Sequence, residues 1–174
     1  MDLYNSDDIV ALATPPGTGA LAIIRFSGES LSDLYIKLSH KAPKNRKAIF
    51  TKIYHPKNNT ILDHSIITFF TAPNSFTGED VIEITCHGSQ VVYQSIIDAA
   101  VDFGVRVAAP GEFSFRAYLN KKMDLIQIES IASLISSNSK LSADHSFKHL
   151  DGSISRKFIK IKNIVINILS IIEN

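Results

Sequence analysis

The hydrophobic pattern of this chain changes period near Asn120, and that change limits the folds open to it. Ahead of Asn120, short runs of alternating apolar and polar residues are divided by Pro, Gly and Asn, with two or three stretches of helical spacing between them. Past Asn120 no alternating run occurs. Instead, Ile154, Phe158, Ile161, Val165, Ile168 and Ile172 recur at spacings of four and three, the seam of packed helices. Ile159, Ile164, Ile166, Leu169 and Ile171 widen that stripe beyond what one helix satisfies alone. The pattern predicts an α+β domain, a mixed sheet with helices, over residues 1–120, followed by part of an all-α domain over residues 121–174. The unfinished stripe predicts a piece of a larger protein. A helix folded back on its own N-terminal unit, or on a second copy, is the alternative.

Within the first part, strands are expected over residues 8–14, 21–27, 49–54, 62–70, 81–86 and 106–108. Helices are expected over residues 28–40, with Ser30 as cap and Asp33 in the first turn, and over residues 89–103, closed by Gly104. Pro110–Gly111 opens a further helical turn. TPPGTGA, residues 14–20, is a rigid turn, and APKNRKA, residues 42–48, is a basic loop. Asp124 and Gln127 have the spacing of a capping box.

Composition narrows the class. Hydrophobic residues make up 45% and charged residues 20%, which supports a packed core. The net charge of +1 gives no strong overall field toward nucleic acid or acidic membrane, though it leaves room for RNA work in which another domain holds the RNA. A single cysteine excludes an internal disulfide. MDLYNSDD is acidic and lacks the order of a signal peptide, and no apolar run is long enough to span a bilayer, so a cytoplasmic, non-membrane protein is expected.

Three stretches carry candidate chemistry. TPPGTGALAIIR has a glycine turn, but no Gly-Lys pair exists in the chain and the turn opens a strand rather than a helix, which argues against phosphate and dinucleotide loops. A turn whose backbone approaches something closely fits better. Arg25 shares the face of Leu21 and Ile23, where it must be paired, snorkel to water, or bind an anion. In VIEITCH, alternation puts Ile82, Ile84 and Cys86 on one face and Val81, Glu83, Thr85 and His87 on the other. Cys86 then reads as core rather than nucleophile, and Cys86 with His87 is no metal ligand set. Glu83, mid-strand among apolar residues, is either a structural pair or a ligand-binding carboxylate. Glu79 and Asp80 read as solvated turn charges. Arg116, Lys121 and Lys122 read first as a solvated helix face and second as an anion-binding cluster.

Taken together, TPPGTGALAIIRFSG, APNSFTGEDVIEITCHGSQ and APGEFSFRAYLNKKMDLIQIESIASLI closely resemble the N-terminal region of the MnmE/TrmE family of tRNA modification GTPases. The resemblance runs in order over essentially the whole chain, LDGSISRKF included. It implies a protein that, with a flavoprotein partner of the MnmG/GidA kind, adds a carboxymethylaminomethyl-type group to C5 of the wobble uridine of certain tRNAs. It implies that the N-terminal domain binds a tetrahydrofolate one-carbon derivative (5-formyl or 5,10-methylene), mediates a homodimer, and looks like the folate-binding domain of the glycine-cleavage aminomethyltransferase. The family's folate contacts fall on Arg25, Glu83 and Lys122, with no catalytic or metal-binding residue in this stretch. GTP, K⁺ and Mg²⁺ are implied for a GTPase domain absent from this chain. The chain departs from the usual family pattern at Ser89–Gln90, where glycine and proline are usual, and at Lys121, where glycine is usual. A free-standing folate-dependent aminomethyl or methyl transferase and a non-catalytic dimerisation module are the competing expectations.

Overall fold

A computed structural model of the chain describes residues 7–172, leaving aside the side chains of residues 154, 155 and 172. The expectation for MDLYNSDD thus falls largely, and the side chains at the two ends of the apolar stripe, Ile154 and Ile172, fall outside what is described. The chain divides into two compact units, Met1–Asn120 and Lys121–Asn174.

The first unit is a mixed six-stranded sheet with helices, an α+β arrangement. In chain order it runs β1 (Ile9–Leu12), β2 (Leu21–Gly28), α1 (Ser32–Ser39), β3 (Ile49–Tyr54), β4 (Ile61–Phe70), β5 (Asp80–His87), α2 (Gln90–Phe103), β6 (Arg106–Val107) and α3 (Glu112–Leu119). The sheet order is β3-β4-β5-β2-β1-β6. Every neighbouring pair is antiparallel except β1 with β6.

Register fixes the core. Val10, Phe26, Ile82 and Phe69 lie opposite one another across β1, β2, β5 and β4. Ile24, Ile84 and Ile67 form a second such row. These residues are buried and pack with Leu34, Tyr35 and Leu38 of α1 and Tyr93, Ile96 and Ala100 of α2. Both helices therefore cover one face of the sheet, and period-two alternation sends the intervening side chains to the other.

The ends of α1 differ from expectation. Leu31, not Ser30, occupies the cap position, and no side chain bonds the first-turn amides. Leu31 is wholly buried in the core, and that burial outweighs a surface hydrogen bond. Gly104 closes α2 in the left-handed region, as its place in the sequence suggested.

The second unit contains α4 (Leu125–Ile135), α5 (Lys140–Leu150) and α6 (Ser153–Ile172). Asp124 accepts from the Gln127 amide at 2.9 Å while Gln127 Oε1 accepts from the Asp124 amide at 3.0 Å, which completes the capping box. Gln127 Nε2 also donates to the Leu150 carbonyl and ties α4 to the end of α5. On α6 the stripe from Phe158 to Ile168, together with Ile159, Ile164, Ile166, Leu169 and Ile171, is exposed. No helix among the described residues is long and apolar enough to cross a membrane.

Candidate functional site

The face of the sheet opposite α1 and α2 carries the candidate site. Since Ala22, Ile24 and Phe26 point into the core, Leu21, Ile23 and Arg25 point away from it, and Leu21 is 64% exposed. Arg25 thus stands on an open face, not a sealed apolar one. Its strand neighbour is Glu83, and Ala11, Arg25, Glu83 and Thr68 line up across β1, β2, β5 and β4.

Arg25 donates from Nε to Oε1 of Glu83 at 2.8 Å, and its Nη2 lies 2.7 Å from the same oxygen in an ion pair. The two side chains are each 28% exposed. The phenyl ring of Phe76 lies 5.2 Å from the guanidinium carbon, within cation–π range. Both donors converge on Oε1, so among the described residues Glu83 Oε2 has no hydrogen-bond partner, and neither has Arg25 Nη1. The pair therefore presents an acceptor beside a donor, under an aromatic ring, on a half-buried face. A flat ligand with a donor next to an acceptor along one edge matches that arrangement.

Phe76 is held there by a buried network. Ser27, opposite Val81 in the β2–β5 register, donates to Glu79 at 2.7 Å and shares a 2.6 Å hydrogen bond with Thr77. Arg116 of α3 donates to Glu79 Oε2 at 2.9 Å and to Glu112 at 3.1 Å. Asn120 donates to the Thr77 carbonyl, and Asp80 accepts from the Ala72 amide. Glu79 and Asp80 are buried at 8% and 9% exposure, and Arg116 is 3% exposed. The expectation of solvated turn charges at Glu79 and Asp80, and of a solvated helix face at Arg116, is corrected here. The partners that pay for the burial of Glu79 lie on β2 and α3, far off in sequence, so no local period announces them, while Asp80 is met by the Ala72 amide across the loop. The network continues to Arg106, whose Nη2 lies 2.6 Å from Glu112. That hydrogen bond, against the effect of burial, holds the Glu112 carboxyl down at about 2.

The reactive letters of TCHG separate as alternation predicted for Cys86. Its thiol is buried at 1% exposure, and burial, followed by the nearby Asp63 charge, pushes it up to about 11. That thiol is no nucleophile. The His87 ring is instead held by Asp63, Nδ1 to Oδ1 at 2.7 Å, while the His87 amide donates to the other oxygen at 3.0 Å. Burial acts to raise the Asp63 carboxyl, but the hydrogen bonds from Ser65 and His87 outweigh it and hold it below its ordinary value. Among the described residues no group of three His, Cys, Asp or Glu side chains is placed to hold a metal.

The TPPGTGA turn makes a close backbone approach. The Gly19 amide donates to the Gly88 carbonyl at 2.9 Å, and the Gly88 amide to the Ala20 carbonyl at 3.2 Å. A β-carbon on Gly88 would stand 2.5 Å from the Gly19 carbonyl oxygen, so glycine alone fits. Ser89 has φ −87 and ψ 133, an extended conformation open to any residue, so serine brings no backbone strain there. Lys121, by contrast, sits at φ 56, where glycine is at ease and lysine is not. Lys122 follows it in the turn ahead of α4 and belongs to the second unit, whereas Arg25 and Glu83 meet in the first.

The sequence of this site matches known proteins. The family model described as GTP-binding protein TrmE N-terminus matches residues 8–122. The chain belongs to the TrmE N-terminal family. Relatives named tRNA modification GTPase MnmE include those of Francisella tularensis subsp. holarctica (strain OSU18) and Francisella philomiragia subsp. philomiragia (strain ATCC 25017), each 44% identical over 155 residues. A third, from Francisella tularensis subsp. tularensis (strain FSC 198), is 45% identical over 155 residues. Each alignment covers 89% of this chain and 34% of the relative, so the chain spans about a third of the length of the curated relatives it matches. In TrmE terms, the matched stretch takes in the whole sheet, α3 and the turn that carries Lys122.

Proposed function

We propose that this chain is part of a tRNA modification GTPase and that its TrmE N-terminal unit binds a reduced folate on the outer face of the sheet. The carrying observation is the one-sided Arg25–Glu83 pair beneath Phe76. A pterin is flat and has N–H donors beside a carbonyl along one edge. Glu83 Oε2 is suited to accept from that edge and Arg25 Nη1 to donate to the adjacent oxygen, with the Phe76 ring flanking the guanidinium. Lys122 is assigned to the anionic part of the ligand, the glutamate tail or a formyl oxygen, as a point charge. In this chain the residues bind and orient. The one-carbon unit is the folate's own chemistry.

In the same reading the whole protein acts on the wobble uridine of tRNA together with a flavoprotein partner of the MnmG kind, forms a homodimer through the N-terminal unit, works in the cytoplasm, and carries GTP, K⁺ and Mg²⁺ in a GTPase domain elsewhere. The family match and the names of the relatives support the tRNA modification GTPase part of this reading.

Titration of the chain with 5-formyltetrahydrofolate by calorimetry tests the site. Glu83→Gln keeps the shape, removes one strong acceptor, and should weaken binding at least about tenfold, the low end for a charged hydrogen bond. Lys122→Ala should weaken it less, and more for a polyglutamylated folate than for one lacking the tail. Unaltered affinity in Glu83→Gln removes Glu83 from the site. Saturable binding absent from the parent chain favours the reading in which Arg25 and Glu83 only pair with each other in a dimerisation module.

A further inference from the structure

The near-neutral net charge hides a segregated one. Between Asp33 and Asp63 the chain has seven of its 18 lysines and arginines and none of its 17 acidic residues. In the fold this segment is the end of α1, the basic loop and the edge strand β3. Lys41, Lys44 and Lys47 line an open cavity of about 480 Å³ together with Ile49. Lys52 is exposed on β3, and none of these four lysines takes part in an ion pair among the described residues. Of the acids near this segment, Asp63 on β4 holds His87 and Ser65, and Asp102 on α2 faces His55 at 3.6 Å rather than a lysine. Uncompensated charge on one edge of a neutral molecule asks for a polyanion.

One exposed aromatic stands on this edge strand, on the side opposite Ile49. Phe50, the second residue of β3, is 70% exposed. Alternation places it on the same side of the strand as Lys52, two residues and about 7 Å along. The His64 ring lies beside it, 6.4 Å away and tilted by 52°. A large ring left in water on an edge strand beside Lys52, with the unpaired lysines of the preceding loop at the strand's start, has the chemistry that recognises single-stranded nucleic acid: bases stack on the ring and phosphates meet the cations. An acidic peptide uses the cations and leaves the ring idle. A membrane surface needs a broader apolar face than one ring offers.

We propose that the basic loop and β3 form a contact for a single-stranded RNA segment, with an unpaired base stacked on Phe50 and the backbone phosphates on Lys44, Lys47 and their neighbours. The inference rests on the reading that the chain works on tRNA, and it adds a site separate from the Arg25–Glu83 pair.

The experiment measures fluorescence anisotropy of a labelled tRNA anticodon stem-loop against the chain over a range of salt. The parent binds with a steep salt dependence. Lys44→Ala/Lys47→Ala lowers the log–log slope by about 1.4, at about 0.7 per phosphate contact on a single strand. Phe50→Ala weakens binding at least about fivefold at every salt without altering the slope, and Phe50→Tyr restores it. Heparin, which has charge but no bases, binds independently of Phe50, and so does fully paired RNA. All of these side chains are exposed, and matching circular dichroism and thermal melts establish that each variant folds. RNA affinity unchanged by Phe50→Ala overturns the proposal. So does an equal fall in slope from Lys140→Ala/Lys148→Ala on α5, or the absence of RNA binding. Folate titration separates the two readings: a chain that binds folate and not the stem-loop refutes this inference alone, and loss of folate binding in Glu83→Gln with RNA affinity intact leaves it standing.

Discussion

Replacing Arg116 by methionine asks whether charge holds the loop that carries Phe76. Arg116 donates to Glu79 at 2.9 Å, to Glu112 at 3.1 Å and to the Asp7 carbonyl at 2.8 Å. Methionine keeps much of the length and removes every donor. Glu112 retains Arg106 at 2.6 Å, so its charge stays paired. Glu79 is left with the Ser27 hydroxyl at 2.7 Å as the side-chain donor to a carboxylate only 8% exposed. Breaking a buried pair from one side costs about 3–5 kcal/mol. Against a domain stability of roughly 5–15 kcal/mol, that is a large fraction. Glu79→Gln added to Arg116→Met removes the stranded charge and should recover most of the loss, because the amide oxygen still accepts from Ser27. Urea unfolding followed by far-UV circular dichroism reads both variants. A loss for Arg116→Met below about 1 kcal/mol, the range of exposed pairs, would refute the reasoning. So would a double variant less stable than the single one.

The remaining expectations concern single positions. Gly88→Ala puts a β-carbon 2.5 Å from the Gly19 carbonyl oxygen and should lower stability by about 1–3 kcal/mol in a thermal melt, with an unchanged midpoint counting against the clamp. Glu112, held at about 2 against an ordinary 4.5, adds stability that is fully present above about pH 4.5 and is lost as pH falls toward 2; the gap between parent and Glu112→Gln in acid unfolding should close over that window, and a constant gap would contradict it. Lys121→Gly relieves a left-handed residue at φ 56 and should raise stability by about 0.5–1 kcal/mol, the αL penalty less the extra freedom glycine gains when unfolded. Cys86 should resist iodoacetamide at neutral pH in the native chain and react in urea, since its thiol is buried and raised to about 11.

The sheet was legible wherever a side chain's fate depends on its own strand. Alternation alone put Cys86 with Ile82 and Ile84, and the three are buried together. The capping box at Asp124 was legible because its partners are three residues apart. Arg25 was legible as a charge in need of a partner and Glu83 as an acid that could supply it, but the geometry of their contact depends on the antiparallel register of β2 and β5, 58 residues apart in the chain. Glu79 and Arg116 were misread for the same reason. A polar loop before a strand and a charged helix face are ordinarily solvated, and only the closure of α3 against the loop, across 37 residues, makes these two bury each other. Leu31 overrode Ser30 at the start of α1 because a local hydrogen bond is worth less than a wholly buried leucine.

Glu79 and Glu83 show how one short stretch separates structure from binding. Both are carboxylates facing an arginine, four residues apart. Glu79 sits just ahead of β5 with its Oε2 taking both Ser27 and Arg116, and it is only 8% exposed. Glu83 meets its arginine through one oxygen only and keeps 28% of its side chain exposed. A carboxylate held by both a hydroxyl and an arginine and only 8% exposed offers a ligand little to reach. A carboxylate half used, on a face that α1 and α2 leave uncovered, keeps an acceptor already oriented by Arg25 and by the ring of Phe76. The first acid therefore fixes the loop, and the loop fixes the ring beside the second. Arg116→Met should for that reason weaken folate binding as well as stability, and Arg116→Met with Glu79→Gln should restore the two together. Restored stability with binding still lost would show that Arg116 serves the ligand itself rather than the position of Phe76.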